Sequence, residues 1–283
     1  MIKLAAFADE ADASLEGQLA ALKRNAIPYI ELRGLDGVNI GDITEEQAHI
    51  YAARLREADI RVWSIGSPIG KVSLCEDMTA HMEKLHHVCR LARIFGTDKV
   101  RMFSFFDASD KEALVVRTLT EMVRIAQGYG VILCHENEKK IFGDTVERVL
   151  CLTEQVEGLC TVYDPANFIE VGEDIGVAMD ALHSMSTYFH IKDVIAETGE
   201  LVPAGYGDGR IGALIERIGE EDRVLTLEPH LRVFDGYAEI DGTEMKNKFS
   251  FADNNEAFDA AVSALKGVLL ACGYQYKDGG YIK

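Results

Sequence analysis

GVILCHE (130–136) is a short apolar run that ends on a charged side chain, and three later stretches repeat the pattern: CTVYD (160–164), YFHIK (188–192) and RVLTLE (223–228). Each is rich in β-branched or aromatic residues and stops at polar or turn residues, as strands do. Towards the N-terminus, IKLAAF (2–7), YIELR (29–33), RVWSIG (61–66) and KVRMFSF (99–105) have the same character. Between these runs lie helical patterns. SLEGQLAALKRN (14–25) sets Leu15, Leu19 and Leu22 at helical spacing, MTAHMEKLHHVCRLARIFG (78–96) closes on a glycine, and NNEAFDAAVSALKGVLLACG (254–273) opens with Asn and Glu. Strict alternation of strand and helix implies parallel strands joined by right-handed crossovers. Eight such units close into a ring more naturally than into an open doubly wound sheet. The expectation is one domain over residues 1–283, a single (β/α)8 TIM barrel.

No low-complexity linker interrupts the chain. One connection is unusually long: residues 229–252, after the eighth strand, carry Phe234, Tyr237, Phe249 and Phe251 among charged residues. Such a segment reads as a lid over a site or as a contact with another subunit, which leaves a homo-oligomer open.

The formal net charge is −18 and 48% of residues are apolar. An acidic surface repels nucleic-acid phosphates and anionic lipid, so neither nucleic acid nor membrane is an expected partner. Nor is any stretch apolar enough to span a bilayer. MIKLAAFADEAD, at the start, meets acidic residues too early for a signal peptide. Six cysteines, none in a Cys-x-x-Cys pair, read as reduced core thiols of a cytoplasmic protein.

In a barrel of this kind ligands bind at the C-terminal ends of the strands. The fifth to eighth strands end at Glu136, Asp164, His190 and Glu228. A carboxylate after one strand is usually a helix cap or a solvated turn. Four metal-capable side chains on successive strands are a different matter, because neighbouring strand ends, a little under ~5 Å apart, can converge on one ion. Alternation along a strand then gives the second rank. If His190 faces inward so does Lys192, His230 follows Glu228, and Glu31 shares a face with Arg33. GSPIGK (66–71) lacks the spacing of a nucleotide phosphate loop but adds Ser67 and Lys71 as substrate contacts. Arg101 is a weaker candidate, and AGYGDG (204–209) offers backbone N–H groups to a phosphate or is a plain turn.

Together with DEADASLEGQLAALKRNAIPYIELRG, SIGSPIGK, CHENE, YDPANF, YFHIKDV, VPAGYGDGRI and LEPH, these residues resemble the xylose-isomerase-like barrel superfamily, in particular its sugar-phosphate isomerase/epimerase branch. The resemblance implies an enzyme with a divalent ion held by Glu136, Asp164, His190 and Glu228, the two glutamates flanking the substrate carbons as acid and base. Three carboxylates and an imidazole suit Mn2+ first, with Mg2+, Co2+ or Zn2+ behind it. The implied reaction is isomerisation or epimerisation of a small-molecule carbohydrate through an enediolate. Epimerases of this branch often place a histidine three residues after the aspartate. Here Asn167 stands there, able to bind a hydroxyl but not to act as an acid. The alternatives are a metal-dependent lyase of the inosose dehydratase type, an endonuclease IV-like phosphodiesterase, which the charge and the few strand-end histidines disfavour, and a non-catalytic sugar-binding barrel.

Overall fold

The computed structural model describes residues 1–75, 77–234, 246 and 249–283. The barrel strands are β1 (Ile2–Ala6), β2 (Tyr29–Leu32), β3 (Arg61–Gly66), β4 (Lys99–Met102), β5 (Ile132–Glu136), β6 (Cys160–Tyr163), β7 (Ser186–Ile191) and β8 (Arg223–Leu227). Each pairs in parallel with the next, and β8 returns to β1 through Ile2↔Arg223 to Ala6↔Leu227, so the sheet closes on itself. The chain is the expected single (β/α)8 barrel.

The connecting helices are α1 (Leu15–Arg24), α2 (Glu45–Glu57), α3 (Thr79–Phe95), α4 (Glu112–Gly128), α5 (Val146–Gln155), α6 (Pro165–Glu170), α7 (Ile175–Leu182), α8 (Ile211–Ile218) and α9 (Asn254–Ala271). Local chemistry sets their ends. The Ser14 hydroxyl accepts from the Gly17 amide at the start of α1, Thr44 and Gln47 form a reciprocal capping box on α2, and the Asp253 carboxylate caps α9. After α3, Gly96 turns left-handed at φ +76°, a conformation that costs glycine little.

The main core lies between strands and helices, where Leu22, Leu85, Leu119, Leu214 and Leu265 are buried. Inside the barrel the chemistry changes along the axis. A lower layer of Ala5, Tyr29, Cys134, Val162, Tyr188 and Val224 is apolar or weakly polar. Above it, towards the strand C-termini, the inward residues are Glu31, Arg101, Glu136, Asp164, His190 and Glu228, all buried. The apolar floor closes one end, and the polar side chains gather at the other.

Three details differ from expectation. The fourth strand stops at Met102 rather than running to residue 105. The following residues leave the barrel to bond the loop after β3: the Phe103 and Phe105 amides donate to the Ile69 and Gly70 carbonyls, and Phe105 adopts φ +72°. Small hairpins at Gly34–Leu35/Val38–Asn39 and Asp193–Ile195/Glu200–Val202 decorate the upper rim. A further hairpin, Gln275–Lys277/Gly280–Ile282, lies antiparallel on β1 at Ile2↔Tyr281. No helix among the described residues is long and apolar enough to cross a membrane.

Candidate metal centre

Glu136 closes β5, Glu228 and Asp164 stand one residue beyond β8 and β6, and His190 is the penultimate residue of β7. Donor atoms of these four lie within 4.8 Å of one another, and all four residues are buried. His190 Nδ1 is 2.8 Å from Glu136 Oε1 and 3.0 Å from Glu228 Oε2. Its Nε2 faces Glu31 Oε2 at 3.2 Å, and Glu31 Oε1 accepts from the Tyr188 hydroxyl at 2.8 Å. Glu31, a sequence candidate for substrate contact, therefore sits behind the imidazole. As it stands Nδ1 shares a proton with Glu136; with a cation bound there, an Nε2–H donated to Glu31 would leave the Nδ1 lone pair for the ion and fix the ligating tautomer.

Asp164 is a helix cap as well. Its Oδ1 accepts from the Asn167 amide at the start of α6, and Pro165 takes the first helical position, where no N–H is needed. The other oxygen, Oδ2, faces Lys192 Nζ at 3.1 Å. Asn137 brackets the backbone there: its amide nitrogen donates to the Asp164 carbonyl and its side-chain oxygen accepts from the Asp164 amide, both at 2.9 Å. Asn167 donates to the Asn137 carbonyl at 2.9 Å and accepts from Lys192 Nζ at 2.7 Å. Asn167 and Lys192 thus hold each other beside the cluster.

Each glutamate has an arginine on its other oxygen. Arg101 Nε lies 3.2 Å from Glu136 Oε2, and Arg33 Nη1 donates to Glu228 Oε1 at 3.0 Å. Arg33 also makes a two-point pair with Asp9 (2.9 and 3.0 Å) and meets Glu10 at 3.2 Å. Its guanidinium lies between the rings of Phe7 and Phe234, at 4.4 and 4.7 Å. His230 donates its backbone N–H to Glu10 at 2.8 Å and sets Nε2 3.5 Å from Glu228 Oε1.

Burial governs the ionisation of these groups. It pushes Asp164 up to about 7 against the pull of Lys192, with Glu136 and Glu228 adding repulsion. For Glu228 burial is outweighed by His190, which holds the carboxyl well below the ordinary range. Burial opposes charge on His190 and Lys192 too, but the surrounding carboxylates raise both well above their usual values. Lys192 therefore keeps its proton and is a donor here, not a base. Burial drops His230 to about 4, so its imidazole is neutral at pH 7.

The residues fit a divalent cation. Besides Asp193, which the glycine amides of 205–209 satisfy, the buried carboxylates at this end among the described residues are Asp9, Glu10, Glu31, Glu136, Asp164 and Glu228, against the permanent cations Arg33, Arg101 and Lys192. Two carboxylate oxygens within the cluster, Asp164 Oδ2 and Glu228 Oε2, accept no hydrogen bond. The carboxylates outnumber the permanent cations, and each excess anion in a low-dielectric interior costs several kcal/mol, by order of magnitude, unless a further cation joins it. Hard oxygens with one imidazole suit Mn2+, Mg2+, Co2+ or Zn2+.

A cavity of about 520 Å³ opens over the cluster, bordered by Glu136, Glu228, Arg33, Arg101, Ser67 and Lys71 among others. Ser67 spends its hydroxyl on the Arg101 carbonyl at 2.6 Å, while Arg101 Nη1 donates to the Ser67 carbonyl at 3.0 Å. Lys71 lies 4.4 Å over the Phe103 ring and 3.4 Å from Glu138. AGYGDG offers no phosphate cradle, because the amides of Gly205, Gly207 and Gly209 all donate to the Asp193 carboxylate at 2.8–3.1 Å. Of the long-loop aromatics, Phe234 borders the cavity, Phe249 and Phe251 border a separate groove with Tyr206, and Tyr237 lies outside the described residues.

Asp9, Glu10 and Asn137 escaped the sequence reading. For the first two a signal existed: they follow the first strand directly, in FADEAD, and a survey of strand ends from β1 onward reaches them. Asn137 carries no such mark, since its role is to bracket a neighbouring backbone.

Comparison with known proteins agrees with this geometry. A profile of the xylose isomerase-like TIM barrel family matches residues 19–249. No curated protein matches the chain in sequence. Solved structures share the fold. L-ribulose 3-epimerase is 19% identical with a TM-score of 0.72, covering 96% of this chain and 95% of its own. The probable 3-DHS dehydratase AsbF, involved in petrobactin synthesis, from Bacillus anthracis is 17% identical at 0.72, covering 94% and 99%. The IOLI protein, solved with a zinc atom, is 18% identical at 0.71, covering 94% and 97%. At such identities the likeness is one of fold.

Proposed function

The chain belongs to the xylose isomerase-like TIM barrel family, and from that premise we propose that it is a divalent-metal-dependent isomerase or epimerase of a sugar or sugar derivative, working through an enediolate. One observation carries the reading. Glu136 and Glu228, three strands apart, both border the cavity, whereas Asp164 and His190 do not. Two carboxylates thus face substrate from different sides, and the other two members of the cluster lie beneath.

The proton on a carbon beside a carbonyl leaves only when the developing charge is stabilised. A divalent ion, Mn2+ by preference, held by Glu136, Asp164, His190 and Glu228 would supply that stabilisation as a Lewis acid. The residues do the rest. Glu228, at the border of the cavity, is placed to take a proton, and Glu136 stands on the other flank to deliver one. Arg33 and Arg101 fix the orientation of the two carboxylates. Ser67 and Lys71 form the outer wall, where hydroxyls or an anionic group of the substrate are met. Glu31 sets the imidazole. Lys192 with Asn167 presents N–H groups beside Asp164, and His230 abuts Glu228.

One detail favours a second reading, a lyase of the dehydratase type. Asn167 cannot donate a proton as an acid, while the neighbouring Lys192 is held protonated, and an ammonium suits protonation of a departing hydroxyl. A single experiment separates the two. The protein is stripped of metal, reloaded with Mn2+, and incubated in D2O with a panel of ketoses, inososes and their phosphates. Deuterium at the α-carbon of an unchanged or isomeric sugar supports the isomerase, and loss of water supports the lyase. Full turnover after complete metal removal sinks both.

A further inference from the structure

The floor of the barrel holds a second pair of reactive side chains. Cys134 on β5 and Cys160 on β6 are register partners; Cys134 belongs to the inward layer of Ala5, Val162, Tyr188 and Val224, and Cys160 packs against it. Neighbouring strands run a little under ~5 Å apart, inside the Cα separation of about 4.4–6.8 Å that a disulfide spans. The two residues face each other directly across the pair of strands. Their exposure differs: Cys134 is fully enclosed, while Cys160, first residue of its strand, is partly open at the end of the barrel away from the cavity.

We propose that Cys160 and Cys134 form a peroxide-oxidisable pair, in which Cys160 takes the oxygen and Cys134 resolves it into a disulfide across β5 and β6. The surroundings favour the order. Cys160 is the member of the pair that solvent reaches, and the facing Cys134, with Thr187 and Lys99, outweighs burial and lowers its thiol to about 6. In the first step the Cys160 thiolate attacks a hydroperoxide. A sulfur–oxygen bond forms, the oxygen–oxygen bond breaks, and the leaving alkoxide or hydroxide takes a proton. In the second, the Cys134 sulfur attacks the sulfenic sulfur. The disulfide forms and water leaves with the Cys134 proton. Two thiols are oxidised and one hydroperoxide is reduced. This pair is independent of the proposed sugar chemistry.

The test uses the whole reduced chain, titrated with hydrogen peroxide at neutral pH, blocked with iodoacetamide and digested with trypsin without reductant. The expected product joins peptide 125–139, which holds Cys134, to peptide 149–192, which holds Cys151 and Cys160. That link should persist in Cys151→Ser and vanish in Cys160→Ser. In Cys134→Ser the intermediate should be trapped as a dimedone adduct on Cys160. Exposed Cys75, with Lys111 Nζ 3.2 Å from its sulfur, is the competing target. Oxidation confined to Cys75, with no linked peptide from the wild-type chain, overturns the proposal. So does a link that survives Cys160→Ser.

Discussion

The two halves of the barrel divide the labour unequally. Strands β5 to β8 supply all four members of the candidate metal cluster. Strands β1 to β4 supply what holds them: Glu31 behind His190, Arg33 on Glu228, Arg101 on Glu136 and the Asp9–Glu10 pair that anchors Arg33. The ligand half puts anions together, and the supporting half supplies two of the three permanent cations that make this tolerable. Chemistry is thus expected to fail through one half and stability through the other.

The sharpest test of that division lies in the ligand half. Glu136→Gln and Glu228→Gln keep size and one ligand oxygen but remove the base. Each should lose on the order of 10²–10⁴-fold in turnover while retaining part of its metal binding. Solvent-deuterium exchange at the substrate α-carbon is the measurement, and near-wild-type exchange in both variants would break the assignment. Arg33→Met probes the other half. It strips Asp9, Glu10 and Glu228 of their shared cation and should cost about 3–5 kcal/mol in denaturant unfolding of the chelated protein. Added Mn2+ should recover part of that loss, because it brings positive charge back to Glu228. If unfolding is unchanged, the supporting role of β2 is wrong.

Glu31→Gln lies on the border between the halves. Loss of its charge behind the imidazole should weaken metal affinity by about 10–100-fold, with turnover restored at saturating metal. A turnover defect that saturation does not repair would move Glu31 into direct contact with substrate. The smallest effect is expected in the cavity wall. His81 Nε2 accepts from the Gly70 amide at 2.9 Å. Burial, helped by Lys84, lowers its pKa from the ordinary 6.5 to about 4. A histidine depressed in the folded state contributes stability that is complete above pH ~6.5 and fades as pH falls towards 4. The protection factors of the Gly70 and Lys71 amides, measured against their intrinsic exchange rates, should therefore fall across that window, and His81→Asn should flatten the response.

The same division explains what could be read from sequence. Glu136, Asp164, His190 and Glu228 each follow an apolar run in step with a strand, so position along the chain announced them. Parity then placed Lys192, His230, Glu31 and Arg33 at the same end of the barrel as that cluster. What parity could not give was the partner. Arg33 and Glu228 are brought together across the seam where β8 meets β1, with β1 between their strands, and Arg101 reaches Glu136 from the neighbouring strand. Those pairings depend on register and rotamer. The early end of the fourth strand was hidden for the same reason. KVRMFSF is a good strand throughout, and only its bonding to the loop at 69–72 draws the last residues away.

The closing seam has a consequence for how the molecule is made. β1 finds its partners at residues 223–227 and at Tyr281, more than two hundred positions further along the chain. Until that part has been synthesised, one side of β1 is an unpaired edge of inward- and outward-facing apolar residues, open to pairing with another nascent chain. Contacts this distant in sequence also slow the final step, since loop-closure entropy must be overcome before any of the seam's hydrogen bonds form. Refolding from denaturant should accordingly show an early phase that builds helices and local βα pairs, and a slower one that closes the ring.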